Sequence, residues 1–295
     1  MSSNRPRDSD PLAPHRGRLL GLAYRMLGSR SDAEDIVQDA YLRLAGAKDV
    51  RNPEAFLVTV VTRLCLDRLK SARAQRETYV GPWLPEPVFD AEGLSPDAAT
   101  ELADDLSFAL LLALDRLSPL ERAAFLLHDV FDLQFSEVAR MIDRTEAACR
   151  QLATRARRAV RDARPAPSAT PDNHARLLNA FSEAVTTGDV SRLAGLLRED
   201  AIAMTDGGGR KTAALNPIKG ADKIARFFIS LAAKNANLDI RVQPMMINGS
   251  VGALLYVDGE VDHSLSMAID GERIAAIYIV RNPDKLRHVP VVTRQ

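Results

Sequence analysis

Residues 134–161 contain the pattern that most constrains the fold of this chain: two short helical segments separated by a polar break. The first segment places three apolar side chains on one face at helical spacing, Val138, Ala139 and Ile142. Ser136 is its expected N-cap, and Thr145 is the expected cap of the second segment. Arginines recur along that second segment, at Arg150, Arg155, Arg157, Arg158 and Arg161. The pattern predicts a helix-turn-helix with a basic second helix, and the alternative is a helical hairpin with a solvated basic face.

The charge of the chain is unevenly distributed, although its formal net charge is zero over 295 residues. Between Arg140 and Arg164 there are eight arginines and three acidic residues, whereas acids concentrate in 31–39 and 86–105. A zero total therefore does not exclude nucleic-acid binding, because the distribution decides the local field. The length allows two domains or three small ones.

Neither a metal site nor a membrane segment is expected. The two cysteines, Cys65 and Cys149, lie far apart, and the five histidines show no ligand spacing. The first residues are polar and contain prolines, and no apolar run is long enough to cross a bilayer. We therefore expect a cytoplasmic protein without metal or cofactor, and a disordered N-terminus over residues 1–13.

Composition divides the rest of the chain into five parts. Residues 14–78 show three helical patterns, of which the second opens with an expected capping box at Ser31–Glu34 and the third with Asn52-Pro53. Residues 79–98 hold four prolines and the only tryptophan, and we interpret them as a linker. Helical periodicity returns over 99–163, with a capping box at Ser118–Glu121. A proline-rich spacer follows at 164–171.

The fifth part, residues 172–295, differs in character. Two helical patterns, His174–Thr187 and Asp222–Ala233, precede four β-rich runs. The runs are punctuated by three hairpin dipeptides, Asn248-Gly249, Asp258-Gly259 and Asp270-Gly271. Helices followed by an antiparallel meander predict an α+β domain.

Three segments in a fixed order carry a family resemblance: DAEDIVQDAYLRL at 32–44, AFLVTVVTRLCLDRLKSARAQRE at 55–77, and the helix-turn-helix stretch within 114–160. Together they resemble the extracytoplasmic-function sigma factors of bacterial RNA polymerase. The first is similar to the helix that docks on the clamp helices of the polymerase β′ subunit. The second is similar to the segment that opens and holds the minus-ten promoter element, and the third to the region that binds the minus-thirty-five element. The resemblance implies two partners, core RNA polymerase (β′ clamp and β flap) and promoter DNA.

Three short motifs narrow the resemblance: Trp-Leu-Pro-Glu-Pro at 83–87, Asp-Gly-Gly-Gly at 206–209 and Asn-Pro-Asp-Lys-Leu at 282–286. They look like the subgroup with a fused C-terminal SnoaL-like domain. The implied fold is two all-α modules, the second a helix-turn-helix, followed by a cone-shaped α+β domain with a curved antiparallel sheet.

Enzymes that share the cone fold use Asp or His in their pocket, and the available candidates are Asp206, Asp258, Asp262 and His263. Function does not follow from fold, and we expect a regulatory domain, with room for a small-molecule ligand, rather than an enzyme. Two alternatives remain open at this point. One is a helix-turn-helix regulator that binds DNA without polymerase, and the other is a SnoaL-type enzyme with a DNA-binding extension.

The resemblance assigns roles to three sets of residues in the helical modules. An acidic face is expected to dock on core polymerase, or else to be simply solvated: Glu34, Asp35, Gln38 and Asp39. Basic residues of the third helix are expected to follow single-stranded backbone: Arg63, Arg68, Lys70, Arg73 and Arg76. In the recognition helix, base edges are assigned to Thr145, Glu146, Arg150 and Gln151, and phosphates to Arg155 and Arg158.

A fourth set is expected to join the linker to the C-terminal domain. Trp83, Leu84 and Pro85 form an apolar patch in a polar linker, and such a patch requires a partner surface. The predicted surface comprises two stretches: Asp206, Gly207, Gly208 and Gly209, and Asn282, Pro283 and Asp284. The alternative is that Trp83 packs on its own helical module.

Overall fold

The computed structural model describes residues 13–89, 94, 105–163 and 170–289 of the chain. The predicted disordered N-terminus, the second half of the linker and most of the proline-rich spacer lie outside the described residues. No helix among the described residues is long and apolar enough to cross a membrane.

The first helical module consists of α1 (Ala13–Leu27), α2 (Arg30–Gly46) and α3 (Pro53–Glu77). Helix α3 begins as expected, because the Asn52 side chain accepts a hydrogen bond from the Ala55 amide at 3.0 Å. The expected capping box at Ser31–Glu34 is wrong. Ser29 is the cap of α2, and its hydroxyl accepts from the Asp32 amide, because the chain enters the helix two residues earlier.

The second helical module consists of α4 (Phe108–Asp115), α5 (Pro119–Phe125), α6 (Phe135–Ile142) and α7 (Glu146–Ala163), with a π-helical turn at Leu126–Val130 after α5. The capping box at Ser118–Glu121 is confirmed. Thr145 caps α7 as expected, accepting from the Ala148 amide at 3.2 Å. Ser136 does not cap α6. Gln134 takes that position with a capping box to Glu137, because the helix begins two residues earlier than the apolar spacing indicated.

The described part of the C-terminal domain contains three α-helices and six strands: α8 (Pro171–Thr187), α9 (Val190–Leu196), β1 (Leu197–Asp206), β2 (Ile218–Lys219), α10 (Ala221–Lys234), β3 (Ile240–Ile247), β4 (Ser250–Val257), β5 (Glu260–Asp270) and β6 (Arg273–Val280). The six strands form one sheet in the order β2-β1-β6-β5-β4-β3. The meander β3–β6 is antiparallel and turns at Asn248-Gly249 and Asp258-Gly259 as predicted. The third turn lies one residue later than predicted, at Gly271-Glu272, because Asp270 pairs with Arg273.

The sheet is mixed rather than wholly antiparallel, because β1 pairs in parallel with β6. This part of the expectation is wrong for a physical reason. A parallel pair is joined by a long crossover and leaves no hairpin dipeptide in the sequence, so the strand after α9 gave no local signal. The α+β fold class itself is confirmed.

Three apolar clusters organise the molecule. One runs through both helical modules, from Leu19 in α1 to Leu152 in α7, so that the modules share a core. The second lies between α8–α10 and one face of the sheet. The third covers the opposite face, where Leu84 of the linker and Phe108 of α4 pack on Tyr278, and the Phe108 and Tyr278 rings stack at 5.4 Å. The expected linker is therefore a buried layer between the helices and the sheet.

Candidate nucleic-acid interface

The recognition helix α7 presents its assigned residues to solvent. Thr145, Glu146, Arg150, Gln151, Arg155 and Arg158 are all exposed. The opposite face is buried through Cys149, Leu152 and Ala156. Arg150 is oriented by Glu146 at 2.8 Å and by the ring of Phe135, whose centroid lies 5.3 Å from the guanidinium carbon. The helix thus holds a pre-oriented guanidinium on an open surface at its N-terminal end.

Helix α3 presents its basic residues differently. The Arg63 guanidinium donates to the backbone carbonyls of Met141 at 3.2 Å and Arg140 at 3.4 Å, at the C-terminal end of α6. Arg68 pairs with Asp32, and Lys70 pairs with Asp67 at 2.8 Å. Arg73 and Arg76 lie in the last turns of α3, and their side chains are outside what the structure describes.

A cleft of about 670 Å³ separates α3 from the second module. Arg63, Asp67 and Lys70 line one wall, and the α6–α7 turn and the start of α5 line the other. The second module therefore lies over part of the basic side of α3.

The acidic face of α2 is available to a partner. Asp35, Gln38 and Asp39 are exposed, whereas Glu34 is half-buried and paired with Arg30 at 3.1 Å. Leu42 follows on the same side with 65% of its surface exposed.

Asp206 is the centre of the contact between linker and C-terminal domain. Its side chain is fully buried at the end of β1, and three donors surround it. The Tyr79 hydroxyl donates at 2.6 Å, the Leu84 amide at 2.9 Å and the Lys285 ammonium at 2.7 Å. Burial raises the pKa of the Tyr79 hydroxyl, so it stays protonated and donates at neutral pH.

Trp83 lies between two parts of the molecule. The Lys285 ammonium lies 4.5 Å from the centroid of its ring. On the other side, a Cβ added to Gly28 would come within 2.6 Å of the ring, which shows how closely the indole packs on the end of α1. The indole therefore contacts both its own module and the C-terminal domain.

The glycine loop and the 282–286 stretch approach each other closely. A side chain at Gly208, whose φ is +58°, would meet the Asn282 amide nitrogen at 2.2 Å. Asn282 donates to the Tyr79 hydroxyl at 3.0 Å and caps the short 3₁₀ turn that begins at Pro283. Asp284 pairs with Arg210 at 3.2 Å. The structure thus brings together all three stretches of the predicted interdomain set.

Several residues at this contact were not in the predicted set, among them Tyr79, Lys285, Glu86 and Asn248. Glu86 has 3% of its surface exposed and accepts from the Arg30 amide at 2.9 Å, at the start of α2. Its other oxygen meets His288 at 2.9 Å. Asn248 has 2% of its surface exposed and carries hydrogen bonds to three segments. Glu86 lies within the Trp-Leu-Pro-Glu-Pro motif, whereas Asn248 gives no sequence signal beyond its turn.

The candidate acid–base residues of the C-terminal domain have structural surroundings. Asp206 accepts hydrogen bonds from the linker residues Tyr79 and Leu84, and Asp258 occupies a turn with φ of 52°. Hydrogen bonds from His263, Lys211 and Arg281 hold the pKa of Asp262 well below its usual range despite its partial burial. This carboxylate is tied to Lys211 at 2.9 Å and Arg281 at 3.0 Å. Among the described residues, no group of three His, Cys, Asp or Glu side chains could hold a metal ion.

Comparison with known proteins decides the family. Residues 12–75 match the model of Sigma-70 region 2, and residues 107–160 match that of Sigma-70, region 4. The ECF RNA polymerase sigma factor SigJ of Mycobacterium tuberculosis is 39% identical over 292 residues, covering 95% of this chain and 93% of the relative. The chain belongs to the ECF RNA polymerase sigma factors. A probable ECF sigma factor of the same organism, SigI, is 34% identical over 278 residues and covers 92% of each chain.

The fold of the whole sigma factor is shared with a solved relative. The crystal structure of M. tuberculosis SigJ superposes with a TM-score of 0.76 at 34% identity, covering 95% of this chain and 99% of that one. The resemblance read from the sequence is confirmed, including the fused SnoaL-like domain. The chain is a transcription initiation factor that binds core RNA polymerase and promoter DNA, and its homologues are sigma factors rather than enzymes. Helices α1–α3 form region 2, and α4–α7 form region 4.

Proposed function

We propose that this sigma factor carries its own control. In this proposal the SnoaL-like domain holds regions 2 and 4 in the closed arrangement, meaning the packed state in which both regions share one core. The observation that carries the proposal is the buried carboxylate of Asp206, which binds the chain on both sides of Trp83 and an ammonium group of its own domain.

The closed arrangement does not fit a promoter. The minus-ten and minus-thirty-five elements are separated by about 25 base pairs, which is roughly 85 Å along B-DNA at about 3.4 Å per base pair. Helix α3 contacts the end of α6 directly through Arg63, so the two DNA-binding surfaces cannot reach both elements at once. Regions 2 and 4 must separate first, and core polymerase favours separation if it binds only the open state.

The assigned residues then act in sequence. The exposed acidic face, Asp35, Gln38 and Asp39 with Glu34 beside it, makes the first contact with core polymerase. Arg150 and Gln151 read base edges of the minus-thirty-five element, with Thr145 and Glu146 beside them, and Arg155 and Arg158 bind phosphates. Once Arg63 is released from α6, it joins Arg68, Lys70, Arg73 and Arg76 on the minus-ten backbone.

The limits of the parts and the place of action belong to the same proposal. The proposed limits are 14–78, 79–98, 99–163, 164–171 and 172–295. The ends of α3 at Glu77 and of α7 at Ala163 support two of these boundaries, whereas α8 begins at Pro171, the last residue of the proposed spacer. A subunit that works on polymerase and promoter acts in the cytoplasm. A small-molecule ligand of the SnoaL-like domain stays a prediction.

The test is Asp206→Asn, which keeps the shape of the side chain but removes the charge that faces Lys285. Because Tyr79 and Leu84 of the linker donate to the charged Asp206 side chain, a neutral amide binds the linker less strongly and the closed arrangement is weakened. Run-off transcription at limiting core polymerase should rise about fivefold, since the apparent affinity scales with the open fraction. The matched control is Asp258→Asn, at an exposed turn of the same domain.

Three further variants complete the test: Trp83→Ala, a chain cut before Asn282 and a chain cut at Pro165. If these and Asp206→Asn all transcribe like the intact chain, the SnoaL-like domain is a passenger and the proposal fails.

A further inference from the structure

The β3–β4 turn of the SnoaL-like domain has more contacts than a hairpin needs. Asn248 and Gly249 have φ of 53° and 75°, the left-handed conformations that a two-residue hairpin turn favours. Asparagine, aspartate and glycine all serve there. The turn alone therefore does not explain why the Asn248 side chain is buried to 2% exposure, far from the solvent that usually surrounds such turns.

The Asn248 amide uses its hydrogen-bonding capacity on three separate segments. Its nitrogen donates to the Tyr24 hydroxyl at 2.7 Å, in α1 of region 2, and to the Leu106 carbonyl at 2.9 Å, just before α4 of region 4. Its side-chain oxygen accepts from the Val88 amide at 3.0 Å. The Asn248 backbone amide also donates to the Val88 carbonyl at 2.7 Å.

The partners of Asn248 are as buried as the amide itself. Tyr24 and Val88 have no exposed surface and Leu106 has 1%. The Tyr24 hydroxyl donates a hydrogen bond to the Glu86 backbone carbonyl at 2.7 Å, which extends the network into the linker. In such a dry site, loss of one partner leaves several buried polar groups unsatisfied.

The Asp258-Gly259 turn of the same sheet is a natural comparison. Asp258 has φ of 52°, so the two turns have the same backbone conformation. Its side chain is exposed and accepts from the Asp239 amide at 3.3 Å, within its own domain. The difference between the turns lies in what the first residue contacts, not in the backbone.

We infer that Asn248 is the positioning residue through which the SnoaL-like domain fixes region 2 relative to the entry of region 4. One amide joins α1, the linker and the residues before α4, so their relative placement is set at a single point. This inference rests on the proposed function, because it names a second anchor of the closed arrangement at the opposite end of the linker from Asp206.

The principal variant is Asn248→Gly, which keeps the turn conformation and removes the amide. Tyr24→Phe removes a partner from the region 2 side without touching the turn. Asp258→Gly is the matched control. Spin labels on cysteines introduced at Ala45 in α2 and Ala147 in α7 would report the distance between regions 2 and 4. Both positions are exposed, and the native cysteines are buried.

We expect Asn248→Gly and Tyr24→Phe to increase the population of long distances, and Asp258→Gly to leave the distribution unchanged. The chain concentration that gives half-maximal run-off transcription should fall about fivefold, the effect of losing a buried hydrogen-bonded group, with the maximum unchanged. A general loss of folding would instead lower the maximum, and circular dichroism of each variant checks for it.

The outcomes separate this inference from the proposed function. If Asp206→Asn opens the chain but Asn248→Gly and Tyr24→Phe leave the distances and the half-maximal concentration unchanged, Asn248 is only a turn residue and the inference is overturned. If all of these variants lengthen the distances without changing transcription, Asn248 positions the regions as inferred. In that case the closed arrangement does not control activity and the proposed function fails.

Discussion

Helices α3 and α7 carry similar arginine-rich faces, but in the closed arrangement they differ in their contacts with the other region. On α7 the arginines that face away from the core are open to solvent, and Arg150 is held ready by Glu146 and Phe135. On α3 the guanidinium of Arg63 is bound to the end of α6. The same pattern of basic residues is exposed on both helices, but on α3 region 4 holds Arg63 by hydrogen bonds that must break before that side chain can bind DNA.

The difference arises from contacts between helix ends and arginines of the other region. The last carbonyls of a helix lack partners within the helix and carry partial negative charge. Arg63 of region 2 satisfies such carbonyls in region 4, and Arg122 of region 4 satisfies the Met26 carbonyl near the end of α1 in region 2. Arg63 and Arg122 thus each donate hydrogen bonds to backbone carbonyls of the other region. This reciprocal contact places region 4 over part of the basic side of α3.

The largest effect should come from Arg122→Ala. This substitution tests whether the contact that holds region 4 on region 2 stabilises the folded chain. Arg122 is 4% exposed and pairs with Asp115 at 3.1 Å. Burial lowers its pKa to about 10, so it is still charged at neutral pH. Its removal should lower the free energy of unfolding by about 3 kcal/mol, measured by urea denaturation.

The control for this variant is Arg116→Ala, at an exposed neighbouring position, which should change stability by less than about 0.5 kcal/mol. Equal effects of the two substitutions would mean that Arg122 does not hold region 4 on region 2.

The next effect concerns the open helix. Arg150→Ala should weaken binding to the minus-thirty-five element by about 1–3 kcal/mol and relax preference at one base position. Arg158→Ala should weaken binding evenly across sequences and reduce its salt dependence, because its side chain is 80% exposed and further along the helix. Selection from a randomised promoter library measures both. Identical specificity profiles would contradict the division between base and phosphate contacts.

The smallest effect concerns α2. Its acidic face is exposed, as is the basic face of α7. Reversing Asp35 and Asp39 to Lys should weaken holoenzyme formation roughly tenfold at physiological salt, since exposed interface charges mainly change the rate of association. Circular dichroism should show unchanged helicity, because both side chains point away from the core. Unchanged affinity for core polymerase in an equilibrium binding assay would remove the docking assignment.

Much of the fold could be predicted because its signals are local. Helix caps such as Thr145 and Ser118, the hairpin dipeptides and the apolar stripe of α7 depend on residues a few positions apart. Periodicity also separated the exposed face of α7 from its buried face. Where the local signal was ambiguous, the predicted start of a helix was wrong by two residues, as for α6, where Gln134 is the N-cap instead of Ser136.

The sequence by itself determined the sigma factor modules, their order and the residues that α2 and α7 expose, since helical spacing decides which side chains share a face. Only the tertiary structure decided that β1 pairs in parallel with β6, that α6 engages Arg63, and that Asn248 is buried among three segments. The Arg63–Met141 and Tyr24–Asn248 contacts join residues 78 and 224 positions apart. No spacing rule encodes such pairs, because they depend on how whole elements pack, and a turn residue in sequence became an interdomain anchor in space.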